Sequence, residues 1–280
     1  MRNNIGVMGH PINHSMSPVF QQAALDYLGN KNIFEKWDVH PEKLEEKIKS
    51  FRKESFIASC VTLPHKQNII PLIDELSDSA KAIGAVNWIY NKNNKLLGDN
   101  TDSSGFIRSL TEKYNFLPKD KTALVFGAGG ASRAIIYGLI KSNVKKIILC
   151  NRNYDKANVI SRELSTNKVK IEPILYNRDS LANYAPYTDI IINTTSLGMA
   201  GGPAPTTTPI SSELISSNTF GYDIVYSPLI TPFIKEFEKS GAEYGTGLSM
   251  LLYQGVEGIE KALNTKAPIN VMQKALDALS

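Results

Sequence analysis

The stretch KTALVFGAGGASRAIIYGLI, residues 121–140, constrains the possible folds more than any other part of the chain. An apolar run enters Gly127, Gly129 and Gly130 directly, and a helix-forming run leaves them. A strand that turns this sharply into a helix needs a first glycine for the turn and a second where the backbone must lie open to a ligand. The unpaired N–H groups at the helix start, with the positive end of its dipole, then form a site for a phosphate. The third small position is Ser132, where a full GxGxxG would have glycine. An apolar run about 20 residues further on supplies the next strand that such a unit requires.

The rest of the chain keeps the same alternation. Strands are expected near 122–126, 146–150, 170–175, 188–193 and 219–225, and MAGGPAPTTTP (199–209) reads as a loop. Ahead of this series, Ile5–Met8 predicts a strand and SPVFQQAALDYLG a helix, with Ser17 as N-cap, Pro18 at the first helical position and Gly29 at the end. Residues 33–39 read as a second strand, PEKLEEKIKSF as a helix with Leu44, Ile48 and Phe51 on one face, and FIASCV as a third strand. NKNN (91–94) carries a hairpin signal, and a helix is expected from about Asp102 to Tyr114. At 280 residues, two domains are the natural division. The expected organisation is two open α/β domains. A substrate-binding domain takes 1–102 and 247–280, a Rossmann-like dinucleotide-binding domain takes 103–246, and Gly245-Thr246-Gly247 serves as the crossing between them.

Composition excludes several classes. Lys plus Arg (31) exceeds Asp plus Glu (27) by only four, and no basic cluster stands out, so no nucleic-acid partner is implied. No apolar run reaches the ~18 residues of a membrane span, and MRNNIGVMGH has no signal-peptide core. Two cysteines, Cys60 and Cys150, both in apolar runs, are too few for a disulfide framework, which suits the cytoplasm. The four histidines form no cluster with cysteine, so no metal site is expected.

The strand after the glycine turn ends in CNRNYDKA. An NAD-binding chain usually has a carboxylate there for the ribose hydroxyls, whereas Asn151, Arg152 and Lys156 offer an amide and two cations suited to a 2′-phosphate. NADP is the expected cofactor. Its hydride needs a carbonyl or alcohol partner and an acid to meet the charge that develops on oxygen. In the first domain, CVTLPHKQ breaks off a strand at Thr62 and Pro64 and presents Lys66, while GDNTD places Asp102 at a helix start. An Asp beside Lys66 would orient its ammonium. Ser15 and Ser17, at a helix start reinforced by Pro18, suit a carboxylate, although Ser17 could equally serve only as a cap.

Taken in order, GHPINHSMSP, VTLPHK, GAVN, GDNTD, GAGGASRA, NR followed by KA, NTTSLGM, DIVYSPLITP and GLSMLLYQG resemble the shikimate dehydrogenase family from end to end. The resemblance implies NADP-dependent reduction of 3-dehydroshikimate to shikimate, a small-molecule substrate. It assigns Lys66 and Asp102 to the catalytic pair, Ser15 and Ser17 to the substrate carboxylate, and Thr62, Asn87, Asp102 and Gln254 to the ring hydroxyls. The turn Gly127, Ala128, Gly129, Gly130, Ala131 would hold the pyrophosphate, and Asn151, Arg152 and Lys156 the adenosine phosphate. Met199, Tyr226 and Gly247 would flank nicotinamide and substrate. A homodimer is compatible with the pattern.

The chain departs from that pattern at several positions: Phe20-Gln21 for His-Asn, Cys60 for Asn, Trp88 for Thr, Ser103-Ser104 after NTD, and LNT (263–265) for Trp-Thr-Gly. Trp88 adjoins Asn87, where its bulk either packs inward or alters selectivity among shikimate, quinate and aminated relatives. Quinate oxidation with NAD, a non-catalytic metabolite sensor and an NADP enzyme sharing only the second domain, such as a glutamyl-tRNA reductase type, are the competing readings.

Overall fold

A computed structural model describes residues 4–52 and 55–279. The chain divides into two compact units, Met1–Gly105 with Leu252–Ser280, and Phe106–Leu251.

The first unit opens β1 (Asn4–Gly9), α1 (Ser17–Tyr27), β2 (Phe34–Asp38), α2 (Leu44–Phe51), β3 (Phe56–Val61). It continues α3 (His65–Asn68), β4 (Glu75–Leu76), α4 (Asp78–Ile83), β5 (Trp88–Lys92), β6 (Lys95–Asp99) and α5 (Thr101–Arg108). Its sheet has the order β2-β1-β3-β5-β6-β4. The first three strands are parallel, as the strand and helix alternation predicts, and β5 joins β3 antiparallel. The β5–β6 hairpin turns through Asn93 and Asn94, with φ of 54° and 61°. Asparagine tolerates this left-handed backbone, which matches the twist of a tight hairpin. Leu44, Ile48 and Phe51 all face inward, joining Met8, Val61, Val86 and Ile89 in one core.

Ser17 does not cap α1. Met16 takes that position and its side chain bonds none of the free amides, so Ser17 is the first helical residue and its hydroxyl is available for something else.

The second unit contains β7 (Thr122–Phe126), α6 (Gly130–Lys141), β8 (Lys146–Asn151), α7 (Tyr154–Leu164), β9 (Lys170–Leu175) and α8 (Arg178–Tyr184). Then follow β10 (Ile190–Asn193), β11 (Phe220–Asp223), α9 (Pro232–Ser240), β12 (Tyr244–Thr246) and α10 (Gly247–Leu263), the last running on into the first unit, where α11 (Ile269–Asp277) ends the chain. All six strands are parallel, in the order β9-β8-β7-β10-β11-β12. Helices cover both faces, so the inner strands β7 and β10 carry near-continuous apolar runs rather than alternating ones. Ala123, Val125, Ile190 and Ile192 enter one core, while Leu124, Phe126 and Ile191 enter the other.

β12 is an addition to the sequence reading, which has a crossing at Gly245. An edge strand of three residues with a central glycine has no periodicity to detect. Its glycine is required by packing: a Cβ there would lie 2.7 Å from the Tyr114 ring. Among the described residues no helix is long and apolar enough to cross a membrane, and no cluster of His, Cys, Asp or Glu could hold a metal.

Candidate active site

In the first unit, strand ends deliver the polar groups. β3 stops at Val61, and the turn through Thr62, Leu63 and Pro64 leads into α3, where the Thr62 carbonyl accepts from the His65 amide at 3.0 Å. The Lys66 carbonyl accepts from Val86 N at 2.7 Å, which ties this short helix to the GAVN segment. Its ammonium donates to Asp102 Oδ2 at 2.6 Å, with the two side chains 29% and 15% exposed. The pair is thus held in place yet reachable by a small molecule.

Asp102 is fixed from its other side as well. Asn87 Nδ2 donates to Asp102 Oδ1 at 2.8 Å, and Asn87 Oδ1 accepts the Thr101 amide at 2.7 Å. The Asp102 amide bonds Asn100 Oδ1 at 3.2 Å. One carboxylate oxygen therefore serves the ammonium and the other the amide, leaving the plane of the carboxylate little freedom.

Cys60 is buried at the end of β3 near Ser17, and Asp102 and Lys66 act on its thiol electrostatically. Burial is the main force pushing that thiol far above its ordinary range, with Asp102 adding to it and Lys66 opposing it, so Cys60 is an uncharged neighbour and no nucleophile. Ser15 Oγ accepts from the Ser17 amide at 3.3 Å. Thr62 is held against β1: a Cβ on Gly9 would sit 2.5 Å from the Thr62 methyl. Gln254 enters through another close approach, since a Cβ on Gly105 would lie 2.6 Å from the Gln254 amide nitrogen. Gly105 is one turn beyond Asp102 on α5. Ser15, Ser17, Thr62, Lys66, Asn87 and Asp102 thus share one end of the first unit, and the α10 backbone at Gln254 packs on α5 one turn beyond Asp102.

Trp88 turns into the core. It is fully buried, and its fused ring lies so close to Gly258 that a Cβ there would sit at 2.7 Å. Phe20 and Gln21 are likewise buried, against Gly255. Phe20, Gln21 and Trp88 are thus packing residues of α1 and β5, set against the α10 glycines.

A second carboxylate, Asp99, lies beneath this end. It is 3% exposed and accepts from Ser77 Oγ at 2.5 Å, Ser79 Oγ at 2.7 Å, the Asn100 amide at 2.7 Å and the Lys261 ammonium. Burial raises its pKa, but the bonds from Lys261 and Ser77 outweigh that and leave it below its ordinary value. This knot secures the β6–α5 turn that carries Asp102. Its one sequence signal was its place in GDNTD.

In the second unit the glycine turn has the form that an anion site needs. Gly127 has φ of +104°, and a Cβ there would meet Thr194 Oγ1 at 2.8 Å, so both backbone and space demand glycine. At Gly129 and Gly130 an added Cβ meets nothing within 4 Å, so the open space lies outside the turn. No side chain caps α6, and the buried Ser132 hydroxyl has no partner. Gly127 N bonds Cys150 O at 2.9 Å, setting the turn beside the end of β8. There Asn151 and Lys156 are arranged around Asn153, which caps α7 through the Lys156 amide. Arg152 is exposed and makes no ion pair among the described residues. An uncapped helix start, an open glycine turn and a cation at the end of the next strand fit a dinucleotide with a phosphorylated ribose.

Met199 and Tyr226 are 39% and 36% exposed on the loops after β10 and β11. Gly247 has a packing reason of its own, since a Cβ would lie 2.1 Å from the Ile224 carbonyl oxygen. Sequence reasoning missed the buried Asp223 between these loops, although DIVYSPLITP begins with it.

Comparison with known proteins agrees with both halves. Residues 7–89 match a family model for the shikimate dehydrogenase substrate binding domain, and residues 110–200 match one for shikimate / quinate 5-dehydrogenase. A shikimate dehydrogenase (NADP(+)) of Methanococcus maripaludis is 39% identical over 277 residues, covering 98% of this chain and 96% of that protein. The shikimate 5-dehydrogenase of Thermus thermophilus, solved with NADP(H) and shikimate, superposes with a TM-score of 0.87 at 30% identity, over the whole of both chains. That of Listeria monocytogenes, solved with shikimate and NAD, gives 0.92 at 27%, covering 98% and 96%.

Proposed function

The chain belongs to the shikimate dehydrogenase family, and on that footing we propose that it interconverts 3-dehydroshikimate and shikimate with NADP, using Lys66 and Asp102 as the acid and base. The observation that carries this reading is the 2.6 Å contact between Lys66 Nζ and Asp102 Oδ2, with Asn87 on the second oxygen.

Bound NADPH supplies the hydride for reduction, and NADP accepts it in the reverse direction. Lys66 meets the charge that gathers on the substrate oxygen as its carbon gains the hydride, and delivers the proton from Nζ. Asp102 orients that ammonium and takes part in returning the proton, while Asn87 keeps the carboxylate from rotating away. Ser15 and Ser17 bind the substrate carboxylate through their hydroxyls, and Thr62, Asn87 and Gln254 bind the ring hydroxyls. The turn from Gly127 through Ala131 binds the pyrophosphate, and Asn151, Arg152 and Lys156 bind the 2′-phosphate. Met199, Tyr226 and Gly247 border the nicotinamide, with Tyr226 on the substrate side. The two free, buried thiols suit a reducing cytoplasm.

The test is shikimate-dependent reduction of NADP, followed by nicotinamide absorbance, with NAD and quinate as controls. NADP with shikimate is expected to be the best of the four combinations. Faster turnover of quinate with NAD would replace this reading, and binding without turnover would make the protein a metabolite sensor.

A further inference from the structure

The strand order β9-β8-β7-β10-β11-β12 places two three-strand halves on either side of the switch between β7 and β10. A dinucleotide on such a sheet lies across the carboxyl ends of the strands, one mononucleotide over each half. The glycine turn and the Arg152 end of β8 serve the adenosine half. The nicotinamide half then falls to the ends of β10 and β11, where Asn193 and Asp223 are neighbours in register.

Both side chains are fully buried, and so is Thr231. Asp223 Oδ1 accepts from Asn193 Nδ2 at 3.0 Å and from the Val225 amide at 3.0 Å, while Oδ2 accepts from Thr231 Oγ1 at 2.6 Å. Asn193 passes the hold to the first loop: its Oδ1 accepts from the Thr195 amide at 3.0 Å and the Thr195 hydroxyl at 2.7 Å. The Leu197 amide in turn donates to that hydroxyl at 3.1 Å. Thr231 passes it to the second loop by capping α9 through the Ile234 amide at 3.2 Å. The Ala200 amide bonds the Ser227 carbonyl at 2.8 Å, joining the two loops directly.

Among the described residues this carboxylate has no ion pair, and every group bonded to it is a neutral donor. Burial raises its pKa to about 6, against which the three bonds work. A buried, unpaired carboxylate is costly, and a neutral side chain could tie two loops together at lower cost. What the carboxylate adds is acceptor capacity for three donors at once, from β10, the loop after β11 and a helix start, with the stronger bonds of a charged group.

We infer that Asp223 is a positioning residue for the nicotinamide end of the coenzyme, holding the loops that carry Met199 and Tyr226 in one arrangement through Asn193 and Thr231. The inference rests on NADP being the coenzyme. Removing the hold lets the nicotinamide shift, and a misplacement of about 1 Å costs about 100-fold in rate. The adenosine half, bound by β7 and β8, does not depend on it.

The test compares NADP with 2′-phospho-ADP-ribose, which lacks the nicotinamide, by calorimetric titration of the full chain carrying Asp223→Asn, Asp223→Ala or Thr231→Val. Expected are a kcat lower by about 10–100-fold and weaker binding of NADP, with fragment affinity within about twofold of the wild type. Asp223→Asn, which keeps two acceptor contacts, is expected to lose less than Asp223→Ala. Should Asp223→Ala not fold, Thr231→Val and Asp223→Asn carry the same comparison. Equal losses for NADP and the fragment, or no loss of kcat in either of those two variants, would overturn the inference while leaving the coenzyme assignment intact. Failure of the wild type to bind either ligand overturns both.

Discussion

Replacing Lys66 by methionine keeps the side chain's stem and removes its ammonium. Asp102 then loses the 2.6 Å partner on Oδ2 but keeps Asn87 on Oδ1. Because the lysine is 29% exposed, water replaces much of the lost interaction, and the stability cost is that of a partly exposed ion pair, about 1 kcal/mol. For a chain of this size that lowers Tm by about 2–4 °C. The kinetic loss is much larger, since a positioned proton donor contributes about 10²–10⁴-fold, or about 3–5.5 kcal/mol of transition-state stabilisation. The variant should therefore remain folded and lose kcat by that factor, while shikimate affinity changes only a few-fold. Shikimate-dependent NADP reduction gives kcat, calorimetric titration gives the shikimate dissociation constant, and thermal unfolding gives Tm. Equal losses in kcat and affinity would make Lys66 a binding group only, and undiminished kcat would remove it from the chemistry.

Arg152→Ala should weaken NADP by about 10–100-fold, the worth of a charge-assisted bond to phosphate, and leave NAD unchanged, as read from the ratio of kcat/KM for the two coenzymes. Gly258→Ala drives a methyl to within 2.7 Å of a rigid, buried indole, so a loss of about 1–3 kcal/mol is expected in denaturant unfolding. Combining it with Trp88→Leu should recover part of that loss, and strictly additive losses would show that the ring is not the obstacle. At Asp223 the folded pKa is about 6 against an ordinary 3.8, so folding favours the protonated form. Its contribution is complete below about pH 4 and is lost as pH rises through about 6, to the extent of about 3 kcal/mol. Measured against Asp223→Asn by denaturant titration, the wild type should fall behind by about that amount between pH 4 and 7. A constant difference across that range would refute the shift.

The main elements were legible because their signals are local. β7 and the glycine turn are adjacent in sequence, the Leu44, Ile48 and Phe51 spacing is one helical face, and the Asn93-Asn94 hairpin depends on two residues. Ser17 was misread as a cap because a serine before a proline satisfies the local rule, while the actual cap position falls on Met16. The Cys60 thiol near the Ser17 hydroxyl lies 43 residues away in the numbering and has no local signature. Trp88 posed a question that sequence could not answer, since its neighbour Gly258 is 170 positions further along.

Residue order within a few turns of chain is enough to specify the α/β alternation, the anion-binding turn and the cationic strand end behind the NADP expectation. Only the tertiary structure decided which polar groups meet: Lys66 with Asp102 and Asn87, Asp99 with Lys261, and Asp223 with Asn193 and Thr231. The physical reason is that a carboxylate's partners and the water it loses are set by how distant strands and helices pack around it. One-dimensional spacing carries no record of that burial.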